Sequence, residues 1–161
     1  MRVGFGYDVH RLVRGRELIL GGVAIPSSRG ALGHSDADVL SHAIGDALLG
    51  AAALGDLGTH FPDDDDKFAG ISSLLLLKQI ASLLSEHGYR VGNIDSTVVL
   101  EKPKLAPFIN EMRENVANSL SLSRTQVSIK ATTSEGLGFV GEEKGLAAYA
   151  CVIIAAQKRN A

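Results

Sequence analysis

The hydrophobic period of this chain switches from two to about 3.6 and back several times. That alternation restricts it to a layered fold of helices on a sheet. From Ser35 to about Leu54 the apolar residues Val39, Leu40, Ala43, Ala47, Leu48 and Ala51 recur at helical spacing. Ser35 followed by Asp38 resembles a capping box, with Asp in place of Glu, and Gly55 and Gly58 end the helix. Upstream, Val3–Val9 is rich in β-branched and aromatic residues and reads as a strand. Glu17–Leu20 and Val23–Ile25 flank Gly21-Gly22, a step suited to a two-residue hairpin turn. Downstream come a helix over Ile71–His87 closed by Gly88, a strand over Asn93–Leu100, a helix over Phe108–Leu120, and strands over Val127–Ala131 and Leu146–Ile154. Thr59–Gly70 and Lys102–Pro107 read as loops. The expected class is α/β (α+β): one domain over residues 1–161, a mixed β-sheet with helices packed on one face. A sheet covered on one side must also bury the other, and association of chains through that face would do so.

Composition excludes several classes. The chain has 161 residues, a net charge of −2 and one cysteine. Neither half is a basic arm, so no nucleic-acid footprint is expected. The apolar run Ala147–Ala156 is too short to span a bilayer. Cys151 lies inside it and is expected to be a small buried hydrophobe, with no disulfide framework. The N-terminus carries no apolar signal segment, so a soluble cytoplasmic protein is expected. Gly136, Gly138 and Gly141 match G-x-G-x-x-G, but Leu146–Ile154, just after them, reads as a strand. The dinucleotide reading needs a helix opening at these glycines and a second strand with an acid about 20 residues on, so a glycine-rich connection between strands is expected.

Asp8-Val9-His10 ends the first strand. Period-2 geometry puts Asp8 and His10 on one face, roughly 6.5–7 Å apart at Cα. An imidazole nitrogen and a carboxylate oxygen at that spacing can converge on an ion such as Zn²⁺. His42, on the Ser35–Leu54 helix, is the best third candidate. It shares a helical stripe with Asp38 and Asp46, one turn to either side, and either carboxylate could orient its ring. Three protein ligands leave one position open, the pattern of a catalytic site. A surface aspartate and a hydrogen-bonded histidine would satisfy the same residues. His34 and Ser35 precede the helix, where free N–H groups can hold an anion; simple N-capping by Ser35 is compatible with that.

Asp56 and Asp63–Asp66 crowd five acids into eleven residues. Ionised carboxylates only accept hydrogen bonds, so such a loop suits substrate hydroxyls rather than phosphate; a solvated acidic loop is the plainer reading. Thr132, Thr133, Ser134 and Glu135 come after a strand. Their hydroxyls can donate to phosphate oxygens, and Glu135 could hold Mg²⁺.

In this order and at these separations, the segments resemble one family, the 2-C-methyl-D-erythritol 2,4-cyclodiphosphate synthases of the non-mevalonate isoprenoid pathway. The matching stretches are Gly6–His10, Leu20–Pro26, Gly33–Asp38 with His42, Asp46–Gly58, Phe61–Asp63, Pro103-Lys104, and Lys130–Thr133 with Glu135. The resemblance implies a homotrimer assembled through its sheets, with active sites between subunits. It implies zinc on Asp8, His10 and His42, with the substrate's β-phosphate as fourth ligand. His34 and Ser35 would touch substrate. Asp56, Leu57, Gly58, Phe61, Pro62, Asp63 and Asp65 would enclose the methylerythritol part. Leu100, Pro103, Lys104, Leu105, Ala106, Ala131, Thr132 and Thr133 would form a cytidine pocket, largely through backbone groups, with Ser134 and Phe139 as further contacts. Glu135 would help hold a second divalent ion, Mg²⁺ or Mn²⁺, and His34 and Thr133 would steady the transition state.

The implied reaction is attack of the 2-phosphate of 4-diphosphocytidyl-2-C-methyl-D-erythritol 2-phosphate on its own β-phosphate. It releases CMP and the 2,4-cyclodiphosphate, so the enzyme is a phosphorus–oxygen lyase. A zinc-dependent phosphohydrolase of a nucleotide-linked substrate is the alternative built on the same residues; a trimeric metal- or nucleotide-binding protein without catalysis is a third reading. Glu142 stands where many relatives carry a basic residue, so no phosphate contact is carried over to it.

Overall fold

The computed structural model describes residues 1–62 and 64–157. Its largest sheet has five strands: β1 (Arg2–Arg14), β4 (Arg29–Leu32), β5 (Tyr89–Val99), β6 (Val127–Thr132) and β7 (Gly145–Ala156). Their spatial order is β4-β1-β7-β5-β6, and the hairpin strands β2 (Leu18–Leu20) and β3 (Val23–Ile25) pair separately. β5 and β6 run parallel, and the other neighbours are antiparallel. The sheet is therefore mixed, as expected. The helices are α1 (Val39–Ala52), the single turn α2 (Leu57–His60), α3 (Ser73–Glu86), α4 (Ile109–Ser119) and the single turn α5 (Gly138–Gly141).

Glycine alternation in β1 brings α1 onto the sheet. Gly4 and Gly6 face the helix, and a Cβ there would stand 1.9 Å from the Ala47 carbonyl oxygen and 2.0 Å from that of Ala43. Only glycine permits so close a backbone approach. The alanines at 43, 47 and 51 complete the flat contact, and all three are buried. Beyond Gly6 the same face of β1 continues as Asp8 and His10, so the packing that seats α1 also carries His42 to them. The other face presents Val3 and Phe5, each 66% exposed, with Tyr7, Val9 and Tyr149. Tyr149 lies with its ring centroid 5.1 Å from that of Tyr7.

Several expectations are corrected. Cys151 is exposed. Ala148, Ala150, Val152 and Ile154 of β7 point into the core, so the alternation turns Cys151 to the outer face. α1 begins at Val39, not Ser35. Ala37 is left-handed, with φ of 55°, and Asp38 is extended and accepts from the Ser41 N–H. Asp38 is therefore the N-cap, and Ser35 instead accepts from Ala37 N–H within the preceding turn. β4 is not among the expected strands, since Arg29–Leu32 has no β-branched residue. Gly30 matters there for its missing Cβ, which would fall 2.0 Å from the Glu17 carbonyl oxygen. Residues 59–70 are not wholly loop, because α2 and a 3₁₀ turn, Asp66–Phe68, interrupt them. The glycine motif at 136–141 forms the single turn α5 between β6 and β7, in keeping with a connection between strands. No helix among the described residues is long and apolar enough to cross a membrane.

One row of the sheet fixes where the site lies. Val9 pairs with Ala147, Ala147 with Val99, and Val99 with Thr132. Asp8–His10 therefore does not end β1, as expected from the sequence, but lies mid-strand, because β1 runs on to Arg14 beside β4, and it is level with the C-terminal ends of β5 and β6. β5 stands two strand spacings from β1 and β6 three, about 10 and 14 Å.

Candidate metal centre and adjoining hollows

Asp8, His10 and His42 meet at that level of the sheet. Asp8 Oδ2 is 3.0 Å from His10 Nε2 and 3.0 Å from His42 Nδ1, and the two ring nitrogens are 3.2 Å apart. A tetrahedral metal with ligands at 2.0–2.1 Å needs donors about 3.3 Å apart. The group fits zinc with a spread of only a few tenths of an ångström. Each ring is held at its other nitrogen. His10 Nδ1 lies 2.9 Å from the Leu32 carbonyl oxygen, a group that can only accept, so Nδ1 carries the proton and Nε2 faces the group as a lone pair. His42 Nε2 lies 2.9 Å from Ser73 Oγ and 3.1 Å from Ser35 Oγ.

The electrostatics arise from this contact. With no ion bound and a proton on each ring nitrogen that faces it, burial still pushes the Asp8 carboxyl upward, but hydrogen bonds from His10 and His42 outweigh it and bring the pKa to about 2. In that same ion-free state burial presses His42 downward, and the bond from its doubly protonated ring to Asp8 more than reverses it, so the ring's pKa is raised. Asp38 and Asp46 are both raised, chiefly by burial.

Neither Asp38 nor Asp46 orients His42, contrary to the expectation from helical spacing. Asp38 is fully buried and accepts from Ser41 and from Gly22 N–H, tying α1 to the β2–β3 hairpin. Asp46 accepts from Leu57 N–H at 2.8 Å and so fixes the start of α2. The anion site expected at the N-terminus of α1 is corrected too, because the Asp38 carboxylate occupies that terminus and His34 and Ser35 lie in the turn before it.

The three ligands open into a cavity of about 350 Å³, whose wall also includes His34, Ser35, Asp56, Leu57, Gly58 and Phe61. Asp56 uses Oδ1 to cap α2 through Thr59. His34 Nε2 is 3.3 Å from the Asp65 carbonyl oxygen, and the His34 carbonyl accepts from Gly70 N–H. These contacts hold the 64–70 segment against the cavity. Pro62 and Asp65 do not line it, and the Asp65 carboxylate pairs with Lys67 at 2.8 Å. Asp63 lies outside the described residues.

A second hollow, of about 370 Å³, gathers Leu100, Pro103, Lys104, Leu105, Ala106, Ala131, Thr132 and Thr133 at the ends of β5 and β6. These are the residues expected to act together. Ser134 and Glu135 lie outside it, in the next turn of the chain. Thr133 Oγ1 donates to Glu135 at 3.0 Å, and Ser134 is held by Glu101. Phe139 joins neither hollow and instead lines a third one with Tyr7 and Val9, beside the outer sheet face.

The YgbB family pattern matches residues 1–155. The chain belongs to the YgbB family. It is 62% identical to the 2-C-methyl-D-erythritol 2,4-cyclodiphosphate synthase of Syntrophomonas wolfei, across 96% of this chain and 98% of the relative. It is 60% identical to the synthase of Salinibacter ruber over the same shares of each. Among solved structures it is similar to the bifunctional IspDF of Campylobacter jejuni, with a TM-score of 0.93 and 42% identity over 96% of this chain; it spans 42% of that longer protein. It is also similar to the IspF of Plasmodium falciparum in complex with CDP, with a TM-score of 0.85 and 32% identity, covering 98% of this chain and 97% of the other.

Sequence reasoning on this YgbB chain missed the groups behind the ligands: the Leu32 carbonyl, Ser73 and Asp36. Backbone carbonyls leave no trace in composition. Ser73 stands 31 positions from His42, on another helix.

Proposed function

We propose that this chain cyclises 4-diphosphocytidyl-2-C-methyl-D-erythritol 2-phosphate to 2-C-methyl-D-erythritol 2,4-cyclodiphosphate with release of CMP, as a phosphorus–oxygen lyase of the cytoplasm. The observation that carries the reading is the Asp8–His10–His42 donor group opening into a cavity walled by Asp56. One side offers a metal with a free coordination position, and the other offers an acceptor for hydroxyls. The activity named for the relatives agrees with it.

Zinc on Asp8, His10 and His42, with Mg²⁺ or Mn²⁺ beside Glu135, supplies charge neutralisation for two phosphoryl groups that repel each other. The protein's own work is positioning. The nucleophile belongs to the substrate and is ionised at neutral pH, so no serine, cysteine or strong base is required. Asp56 accepts from the polyol, and Ser35 and His34 border the phosphate. Holding the two ends in line converts the step to an intramolecular one of high effective molarity. The 64–70 segment, held on His34, limits access of water, whose attack would give hydrolysis instead. Thr133 steadies the developing charge by donating a hydrogen bond.

The cytidine part occupies the hollow between Pro103, Leu105 and Thr132. Within one chain that hollow and the metal cavity share no lining residue. That separation favours a site completed by a second copy. The exposed apolar face of β1 and β7 gives copies a surface on which to associate as a homotrimer.

Phosphorus NMR of the protein with substrate, Zn²⁺ and Mg²⁺ tests the reading. A cyclic diphosphate with equimolar CMP is the expected product. CMP with a linear, water-derived bisphosphate would replace this reading with a phosphohydrolase, and an unchanged substrate would refute both.

A further inference from the structure

Behind His42 stands a chain of hydrogen-bonded groups with one permitted direction. Ser73 is the first residue of α3 and is 1% exposed. Its N–H donates to Asp36 Oδ2 at 2.9 Å, and its hydroxyl donates to Asp36 Oδ1. The same hydroxyl oxygen lies 2.9 Å from His42 Nε2. Asp36 is held in turn by its own N–H, which donates to the Ile71 carbonyl. The Asp36 carboxylate thus caps α3 from outside that helix, since Ser72 at the N-cap makes no side-chain bond.

We infer that Asp36 and Ser73 are positioning residues that set the ligating atom of His42. The argument is one of donors and acceptors. An ionised carboxylate only accepts, so the Ser73 proton goes to Asp36. The remaining lone pair of Ser73 Oγ faces Nε2, which must therefore be the protonated nitrogen. Nδ1 is then the lone pair, and it is Nδ1 that stands 3.0 Å from Asp8. Ser35 Oγ, itself accepting from Ala37 N–H, offers Nε2–H a second acceptor at 3.1 Å. The metal end and the start of α3 are consequently one unit: the carboxylate that caps the helix also chooses the tautomer of a ligand on another helix. Such outer groups typically change metal affinity 10- to 100-fold. The inference rests on the reading of Asp8, His10 and His42 as a zinc site.

The test is zinc affinity by competition with a chelator, measured without substrate beside the melting temperature of the metal-free protein. Ser73→Ala should weaken zinc about tenfold, and Ser73→Thr, which keeps the hydroxyl, should restore it to within about threefold. Asp36→Asn should also weaken zinc about tenfold. Its amide places a donor against either the Ser73 N–H or the Ser73 hydroxyl, and in the second case the hydroxyl turns its proton toward Nε2. Folded Ser73→Ala and Asp36→Asn proteins that melt lower yet hold zinc within twofold of the parent would reduce both residues to a helix cap and overturn the inference. Failure of Ser73→Thr to restore affinity would do the same. His42→Ala is the reference: if it keeps full zinc affinity, the metal site itself is refuted, a result distinct from a silent Ser73.

Discussion

The metal cavity and the Leu100–Thr133 hollow lie at the same level of the sheet and are built in opposite ways. The first is specified by side-chain atoms from β1, the turn after β4, α1 and α3, brought within about 3 Å of one another. The second is a shape formed at the ends of two parallel neighbours, β5 and β6, with the proline-bounded segment folded over it. A site made of convergent donors fails when one atom is lost. A site made of backbone and apolar walls fails only when it is filled. The difference makes the cavity the chemical half of the proposed enzyme and the hollow its recognition half.

Four changes would sharpen or break that contrast. The largest effect is expected from His42→Ala. It removes a ligand and with it charge stabilisation of several kcal/mol, a fall of at least about a thousandfold in turnover. CMP release and metal content check this, and retained activity in metal-stripped protein would refute the zinc assignment. Next is Gly6→Ala, whose Cβ would stand 2.0 Å from the Ala43 carbonyl oxygen. Pushing α1 off β1 should cost about 3 kcal/mol and separate His42 from Asp8, so melting temperature and zinc content should fall together. A drop in stability with full zinc content would show that the ligands do not depend on this contact.

Third, Ala131→Leu fills the second hollow. KM for the substrate and Kd for CDP should rise about tenfold or more, with zinc content unchanged, as titration calorimetry can measure. A parallel loss of zinc would show that the two halves are not independent. The smallest effect is expected from Asp38→Asn. Asp38 holds Ser41 and Gly22 rather than His42, so stability should fall by about 1 kcal/mol while zinc affinity stays within twofold. Asp8→Asn should instead lose zinc; equal zinc losses from the two would refute the ranking.

Much of this is legible in the sequence. Asp8 and His10 read as one face of a strand, and Ala43, Ala47 and Ala51 read as one apolar helical stripe; that Gly4 and Gly6 let the two meet backbone to backbone emerges only once the helix is in place. The misleading step is to assume that neighbours along a helix are neighbours in function. Asp38 and Asp46 flank His42 by one turn, yet each is committed to a backbone N–H elsewhere. The residues that reach its ring, Ser35 and Ser73, come from a turn and from another helix. Capping misleads for a similar reason. Ser35 and Asp38 both suit an N-cap, and only the left-handed Ala37 between them decides which one serves.

The sequence by itself determined the class of fold, the shared face of Asp8 and His10 and the identity of the three candidate ligands. Those come from periodicity and donor chemistry, which are local. Only the tertiary structure decided which atom of each histidine faces Asp8, that Cys151 and Tyr149 point outward, and that Asp36 rather than Asp38 stands behind His42. Each of these depends on where a partner from a distant segment supplies a donor, an acceptor or a wall, and hydrogen-bond direction has no meaning until both ends are in place.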